Sequence, residues 1–316
     1  AQWQRAAEIL PHDLGYAEHF LPKGRSPRAG ETFACSPMAR SLEAIATSGG
    51  EAFYRGELAR TMSGDAKRHG ALHTLEDFAR PACDWVTPLG FAYRGTTVHE
   101  IPPNGQGIAA LIALGILQAL GPSNDAPDSV AAQHRAIEAM KLAFADTYRY
   151  VADRAHMGVP PEAMLDPGYL ATRAKLIDPA RAQDFGPGAP PVGGTVYLAT
   201  GDAQGMMVSL IQSNYMGFGS GVVVPGTGIS LQNRGAGFSL DPAHANALEG
   251  GKRPFHTIIP GFLMRDGAPL AAFGVMGGPI QPQGHVQTLV RMLDHGMNAQ
   301  AALDAPRWRW NREGTL

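Results

Sequence analysis

The chain has 316 residues, of which 44% are hydrophobic and 17% are charged, and its formal net charge is −2. This composition allows a large buried core and gives no sign of disorder. The near-neutral charge balance gives no indication of the basic surfaces with which proteins bind nucleic acids or anionic membranes. We therefore expect a small-molecule ligand, with no nucleic acid and no membrane as partner.

Targeting and metal signals are weak. The first fifteen residues lack the apolar core of a signal peptide, and the longest apolar stretch, 108–120, is too short to span a bilayer. We predict a cytoplasmic location, and a periplasmic one stays open. Cys35 and Cys83 form no CxxC pattern, and the histidines show no HExxH or paired-ligand spacing, so we expect neither a metal nor a cofactor.

The first half of the chain has the periodicity of helices. Helices are predicted, in chain order, at 41–46, 53–59, 107–120 and 129–151. Thr74 followed by Glu76 and Asp77 is typical of an N-cap with an acidic first turn. One strand is predicted at 96–101, before a Pro-Pro-Asn-Gly turn.

The composition changes after a Pro/Gly-rich segment at 184–194, which we expect to be an exposed, mobile connector. Short apolar or β-branched runs separated by glycines follow it, as in buried strands. These strands are predicted at 195–200, 206–212, 221–224, 229–231 and 270–276. The chain therefore has a mainly helical part, a connector and a strand-rich part that opens with Thr195.

Thr195 would be reactive if it were the first residue of a chain. A hydroxyl needs a base beside it, and the α-amine of an N-terminal threonine, with a pKa near 8, lies within reach of its Oγ1. Gly194 tolerates the backbone geometry that attack on the preceding carbonyl requires. A Gly-Thr pair by itself is more often an ordinary strand start, so this interpretation depends on the residues around it.

Those residues resemble the γ-glutamyltransferase family of N-terminal-nucleophile hydrolases. The carrying motifs include GGTVYLATGDAQGMMVSLIQSNYMGFGSG, VPGTGI, GGKRPFHTIIP and FGVMGGPIQPQGHVQ, with IPPNGQG upstream. The resemblance covers nearly the whole chain. Within the family, the chain looks most like the branch that contains oxamate amidohydrolases and cephalosporin-acylase-like proteins.

The resemblance implies an α+β fold, an αββα sandwich, with part of the large-subunit region and the C-terminal end absent from this chain. Residues 1–194 would be the later part of the large subunit and 195–316 the small subunit, both within one catalytic domain. Cleavage between Gly194 and Thr195 would produce the two subunits from one precursor. A dimer of such heterodimers is a further expectation.

The resemblance also assigns roles at the site. Thr195 matches the nucleophile and Ser213 the hydroxyl residue that orients it, while Gly277 and Gly278 match the pair whose N–H groups form the oxyanion hole. The alternative interpretation of the two glycines is a simple tight turn.

The expected substrate-binding residues depart from the family pattern. Where the family holds an α-ammonium with amide and acidic residues, this chain has Tyr215, Arg234 and Gly237, and His256 and Thr257 replace the paired serines. A cation at this place favours an anionic group over an ammonium. We therefore predict hydrolysis of a small, oxamate-like amide, although Arg234 could instead be an ordinary salt-bridged arginine.

Two alternatives stay open. One is γ-glutamyl transfer or glutathione hydrolysis, and the other is a catalytically silent family member or an inactive fragment. The glycine-rich GFGSG and PGTGI segments lack the pattern of phosphate-binding loops and are expected to be turns.

Overall fold

A computed structural model describes residues 2–80, 83–185 and 194–311 of the chain. Most of the predicted connector, 186–193, lies outside these residues. The helices are α1 Gln2–Ile9, α2 Ala17–Phe20, α3 Ser36–Thr47, α4 Glu51–Tyr54, α5 Glu57–Arg68, α6 Leu75–Ala79, α7 Gly107–Ala119, α8 Val130–Tyr150, α9 Pro161–Met164, α10 Pro167–Ala174, α11 Ile280–Leu293 and α12 Ala299–Asp304. Within the described part of the chain, none of them combines the length and apolar character needed to cross a membrane.

In the part of the chain that the structure describes, the strands form one larger and two smaller sheets. They are β1 Leu89–Tyr93, β2 Thr96–Glu100, β3 Gly194–Gly201, β4 Met207–Tyr215, β5 Val223–Val224, β6 Ile229–Ser230, β7 Gly261–Arg265 and β8 Ala268–Phe273. The larger sheet has the order β1-β2-β7-β8 with antiparallel neighbours throughout. β3 pairs with β4, and β5 pairs with β6.

The described residues form two compact units. The first contains those within 1–85 and 214–233, and the second contains those within 86–213 and 234–316. These limits differ from the predicted subunit boundary after residue 194. That boundary concerns cleavage of the chain, so it stays a prediction.

Helix α7 is the centre of the second unit. Its residues from Gly107 to Leu117 are all buried, as expected for a helix that is apolar on every side. It packs against β1 and β2 on one side and against α8, α10 and α11. Helix α11, which packs against α7, follows the loop that carries Gly277 and Gly278.

The first unit has a core of its own. Tyr16, Leu21 and Val223 are buried together, and Trp3 and Phe218 pack against them. The carbonyl oxygen of Val223 lies where a side chain at residue 15 would stand, so the glycine found there permits this close approach.

Several local predictions are confirmed. Helices α7 and α8 lie within one or two residues of the predicted bounds, and Ser129 caps α8 by accepting a hydrogen bond from the N–H of Ala132. Thr74 and Asp77 form the reciprocal capping box of α6. The mixture of helices and sheets agrees with the predicted α+β class.

Other predictions differ from the structure. The single helix predicted at 53–59 is wrong, because α4 ends at Tyr54 and α5 starts at Glu57. Gly56 lies so close to Ala52 that a Cβ there would be 2.7 Å from the Ala52 Cα. The last strand ends at Phe273 rather than 276, since the glycine-containing turn before α11 begins there.

Candidate active site

Thr195 lies near the start of β3, beside β4. Its Oγ1 donates a hydrogen bond to the Ser213 Oγ across 3.1 Å. Thr195 is partly buried, whereas the neighbouring Val196 is exposed, as the alternation of a strand requires. The predicted nucleophile and its predicted orienting hydroxyl therefore lie in direct contact.

A second hydroxyl pair lies further along the same two strands. The Tyr197 hydroxyl lies 2.9 Å from the Ser209 Oγ, which in turn donates to the carbonyl oxygen of Phe273 at 3.3 Å. Since the one hydroxyl hydrogen of Ser209 is used there, Tyr197 is the donor in the first bond. Burial raises the pKa of Tyr197, so the phenol stays protonated. These bonds attach the β3–β4 pair to β8.

Gly277 and Gly278 form the turn between β8 and α11. Their φ angles are +119° and +69°, values that side-chain-bearing residues rarely adopt. Neither main-chain N–H donates a hydrogen bond to another of the residues that the structure describes. A turn with two N–H donors still available can stabilise a developing oxyanion.

Arg234 begins a single 3-10 turn that ends at Gly237, and it is only 4% exposed. Its Nη1 donates to the Thr257 Oγ1 across 2.7 Å. Two residues predicted to bind substrate, 23 positions apart, are therefore in contact. Arg234 is thus buried and hydrogen-bonded to Thr257, and its pairing with a substrate carboxylate stays a prediction.

His256 is electrically neutral at neutral pH. Burial, with a contribution from the nearby Arg234 charge, lowers the pKa of His256 from 6.5 to about 4. Its Nδ1 accepts a hydrogen bond from the N–H of Ile258 at 3.3 Å, which leaves the hydrogen of the neutral ring on Nε2. His256 therefore adds no positive charge at neutral pH to that of the Arg234 guanidinium.

Tyr215 stands at the end of β4, in the first compact unit, and is 2% exposed. Its φ of +76° is unusual for a residue with a side chain and costs about 1–3 kcal/mol. Backbone strain of this kind is common at functional sites, and it was not predicted from the sequence.

Gln106 and the pair formed by Glu100 and His285 were not among the residues predicted from the sequence. Gln106 is fully buried and donates to the carbonyl oxygens of Thr257 and Gly278. Glu100 and His285 are also buried, with Oε1 and Nδ1 2.6 Å apart, and burial raises the pKa of Glu100. Gln106 belongs to the IPPNGQG motif, so a polar residue directly before a buried helix was the available signal.

No group of three or more His, Cys, Asp or Glu side chains in the described ranges is placed to hold a metal ion.

Comparisons with known proteins agree on one family. The gamma-glutamyltranspeptidase family profile matches residues 1–314. The glutathione hydrolase-like YwrD proenzyme of Bacillus subtilis is 38% identical over 98% of this chain and 58% of its own length. The oxamate amidohydrolase proenzyme of Klebsiella pneumoniae is 38% identical over 96% of this chain and 57% of its own.

A solved structure extends the comparison to the fold. The crystal structure of cephalosporin acylase from Bacillus halodurans has 50% sequence identity and a TM-score of 0.92, and the match covers 98% of this chain and 58% of that one. The chain thus spans less than three fifths of the length of these relatives, and its fold is part of the N-terminal-nucleophile hydrolase fold that was predicted. On this evidence the chain belongs to the gamma-glutamyltranspeptidase family.

Proposed function

We propose that the protein is a self-processing threonine amidohydrolase that acts on a small amide carrying a carboxylate, such as oxamate. The observation that carries the proposal is the hydrogen bond between Thr195 and Ser213 at the head of β3. The names of its relatives support hydrolysis of amides, since they include an oxamate amidohydrolase and acylases. The subunit division at residues 194 and 195 is part of the same proposal.

Self-cleavage starts with attack of the Thr195 Oγ1 on the carbonyl carbon of Gly194. The peptide C–N bond breaks as the C–O bond forms, and the hydroxyl proton ends on the released amine. Water then hydrolyses the ester, which leaves a carboxylate on Gly194 and a free α-amine on Thr195. With a pKa near 8, that amine is a suitable base for turnover.

Turnover repeats this chemistry on the substrate. The Thr195 α-amine takes the Oγ1 proton, Oγ1 attacks the amide carbon, and the N–H groups of Gly277 and Gly278 stabilise the oxyanion. The proton passes to the leaving nitrogen, so oxamate would release ammonia and leave an oxalyl ester on Thr195. Water attacks this ester with the α-amine as base, and oxalate leaves.

The substrate class rests on Arg234. Its buried guanidinium would pair with the substrate carboxylate, and the neutral His256 beside it adds no second charge. A substrate ammonium at this place would meet a buried cation, which is unfavourable by several kcal/mol.

A second candidate is hydrolysis or transfer of γ-glutamyl groups, which is favoured by the glutathione hydrolase-like name of a relative 38% identical to this chain.

Intact mass measurement of the complete protein tests self-cleavage, because it reports whether a fragment starts at Thr195. Ammonia release from oxamate, compared with release from a γ-glutamyl anilide, then separates the two substrates. An uncleaved and inactive protein would contradict both candidates and favour a silent family member.

A further inference from the structure

The loop before α7, residues 102–106, is joined to the segment that carries His256 and Thr257. The N–H of Gln106 donates to the carbonyl oxygen of His256 at 2.9 Å, and the N–H of His256 donates to the carbonyl oxygen of Asn104 at 2.9 Å. The Asn104 side chain adds a bond to the Pro254 carbonyl at 2.7 Å. The main chain around the candidate binding residues is thus held by this loop.

The Gln106 side chain extends this network to the glycine turn. Its Nε2 donates to the carbonyl oxygen of Thr257 at 2.7 Å and to that of Gly278 at 2.9 Å. Both hydrogens of the amide group are therefore used. The orientation of the amide is unambiguous, because the opposite one would place its oxygen against two carbonyl oxygens.

We propose that Gln106 is a positioning residue for the reaction, which fixes the turn of Gly277 and Gly278 relative to Thr257. The inference rests on the proposed function. Gln106 acts through its neighbours, since its hydrogen bonds go to the main chain of Thr257 and Gly278. Thr257 also accepts from Arg234, so one buried amide connects the proposed oxyanion donors to the proposed carboxylate-binding residue.

A pair of glycines needs such support. Glycine has the largest choice of backbone conformations, so the N–H directions of Gly277 and Gly278 are not fixed by their own side chains. The Gly278 carbonyl also accepts from the N–H of Gln281, in the first turn of α11, at 3.0 Å. The Gly278 carbonyl oxygen thus accepts two hydrogen bonds, one from α11 and one from Gln106. Replacing Gln106 leaves only the bond from α11.

The oxyanion forms mainly in the transition state, so a misplaced donor lowers kcat more than it raises KM. Outright removal of one oxyanion-hole donor typically costs about 10²–10³-fold in kcat. A donor that is only loosened should cost less. We expect Gln106→Met to lower kcat about 10- to 100-fold, with KM changed less than about threefold, and to slow self-cleavage as well.

Gln287→Met is the matched control. Gln287 is 5% exposed, and its Nε2 also donates to two carbonyl oxygens, those of Gln283 and Trp308, at 3.1 and 3.0 Å. This control should lower the melting temperature at least as much as Gln106→Met while kcat stays within about twofold of wild type. Gln106→Asn is the second variant, since its shorter amide can reach at most one of the two carbonyls and should give an intermediate kcat.

The experiment uses the complete protein, with oxamate and a γ-glutamyl anilide as probes, well below the melting temperature of every variant. The rate of appearance of the Thr195 fragment is followed by mass spectrometry. Equal losses of kcat in Gln106→Met and Gln287→Met, or a change confined to melting temperature, would overturn the inference while leaving the proposed function intact. A wild-type protein that neither cleaves itself nor hydrolyses either probe would instead overturn the proposed function, and this inference with it.

Discussion

Arg234 donates a hydrogen bond to Thr257 across 2.7 Å, and both side chains are at least 96% buried. This contact fixes the position of the cation on which the proposed substrate class depends. A guanidinium presents its N–H donors in a planar fork that matches the geometry of a carboxylate.

Replacing Arg234 should therefore affect charged substrates most. We expect Arg234→Gln to lower the transition-state stabilisation measured from kcat/KM for oxamate by about 2–5 kcal/mol, which is the cost of breaking a buried charge pair. The value for a neutral amide of similar size should change much less. Arg234→Lys should restore only part of the loss, since an ammonium cannot form the bidentate fork. Equal losses on the charged and the neutral amide would show that Arg234 supports the fold rather than substrate recognition.

The reactivity of the Thr195 hydroxyl should depend on its hydrogen bond to Ser213 on β4. Ser213→Ala removes an orienting hydrogen bond but leaves the nucleophile, so we expect kcat to fall about 10²-fold. Ser209→Ala is a matched control, since Ser209 lies on the same strand and bonds to Tyr197 and Phe273 instead. Thr195→Ala should abolish cleavage and turnover, and Thr195→Ser should retain part of both. Wild-type rates in Ser213→Ala would remove Ser213 from the site.

The sequence could identify residues whose chemistry is local. Thr195 stands directly after a glycine at the start of a strand, and Ser213 directly follows the next predicted strand, so the family motif was enough to suggest both. Gln106 could not be found this way, because its role depends on Thr257 and Gly278, which lie 151 and 172 positions away.

Helix α11 escaped prediction for a related reason. Its buried side includes Gln281, Gln283 and Gln287, so its apolar periodicity is weak. Gln283 exchanges hydrogen bonds with both polar backbone groups of Trp310, and Gln287 does so with Trp308. These polar side chains are buried because a later segment of the chain satisfies them, and the local sequence does not contain that information.

His256 predicts a specific pH dependence of stability. Its folded pKa of about 4 lies below its ordinary value of 6.5, so between these values the unfolded chain binds the proton and the folded protein does not. The free energy of unfolding should therefore fall as pH falls from about 6.5 towards 4. His256→Gln removes this contribution while keeping a polar side chain.

Urea unfolding at several pH values tests this sign. The free energy of unfolding of the wild type, minus that of His256→Gln, should decrease steadily as the pH is lowered from 7 to 4.5. A difference that stays constant over this range would show that His256 titrates alike in the folded and unfolded states.

Two charged residues of α8 hold the chain upstream of the predicted connector. Glu138 and Lys141 are nearly fully buried and 2.6 Å apart, and the Lys141 Nζ also donates to the carbonyl oxygen of Gln183. The Gln183 N–H donates to the other Glu138 oxygen at 3.2 Å, and Lys141 lies 5.4 Å from the centre of the Phe185 ring. One ion pair thus satisfies both backbone groups of one residue.

A buried charge is costly when its partner is removed, so the single and double variants of this pair should differ in an unusual order. Lys141→Met leaves the Glu138 carboxylate buried without its ion-pair partner, and we expect it to lower the free energy of unfolding by about 3–5 kcal/mol. Adding Glu138→Gln removes that charge and keeps an acceptor for the Gln183 N–H, so the double variant should be more stable than Lys141→Met alone.

Arg154→Ala is the control, since its pair with Glu162 is more than half exposed and should contribute less than about 1 kcal/mol. Urea unfolding of the four proteins measures these differences. Limited proteolysis should also produce new cuts at 178–185 in Lys141→Met and none there in Arg154→Ala. A double variant less stable than the single one would show that Glu138 does not depend on Lys141 for its charge compensation.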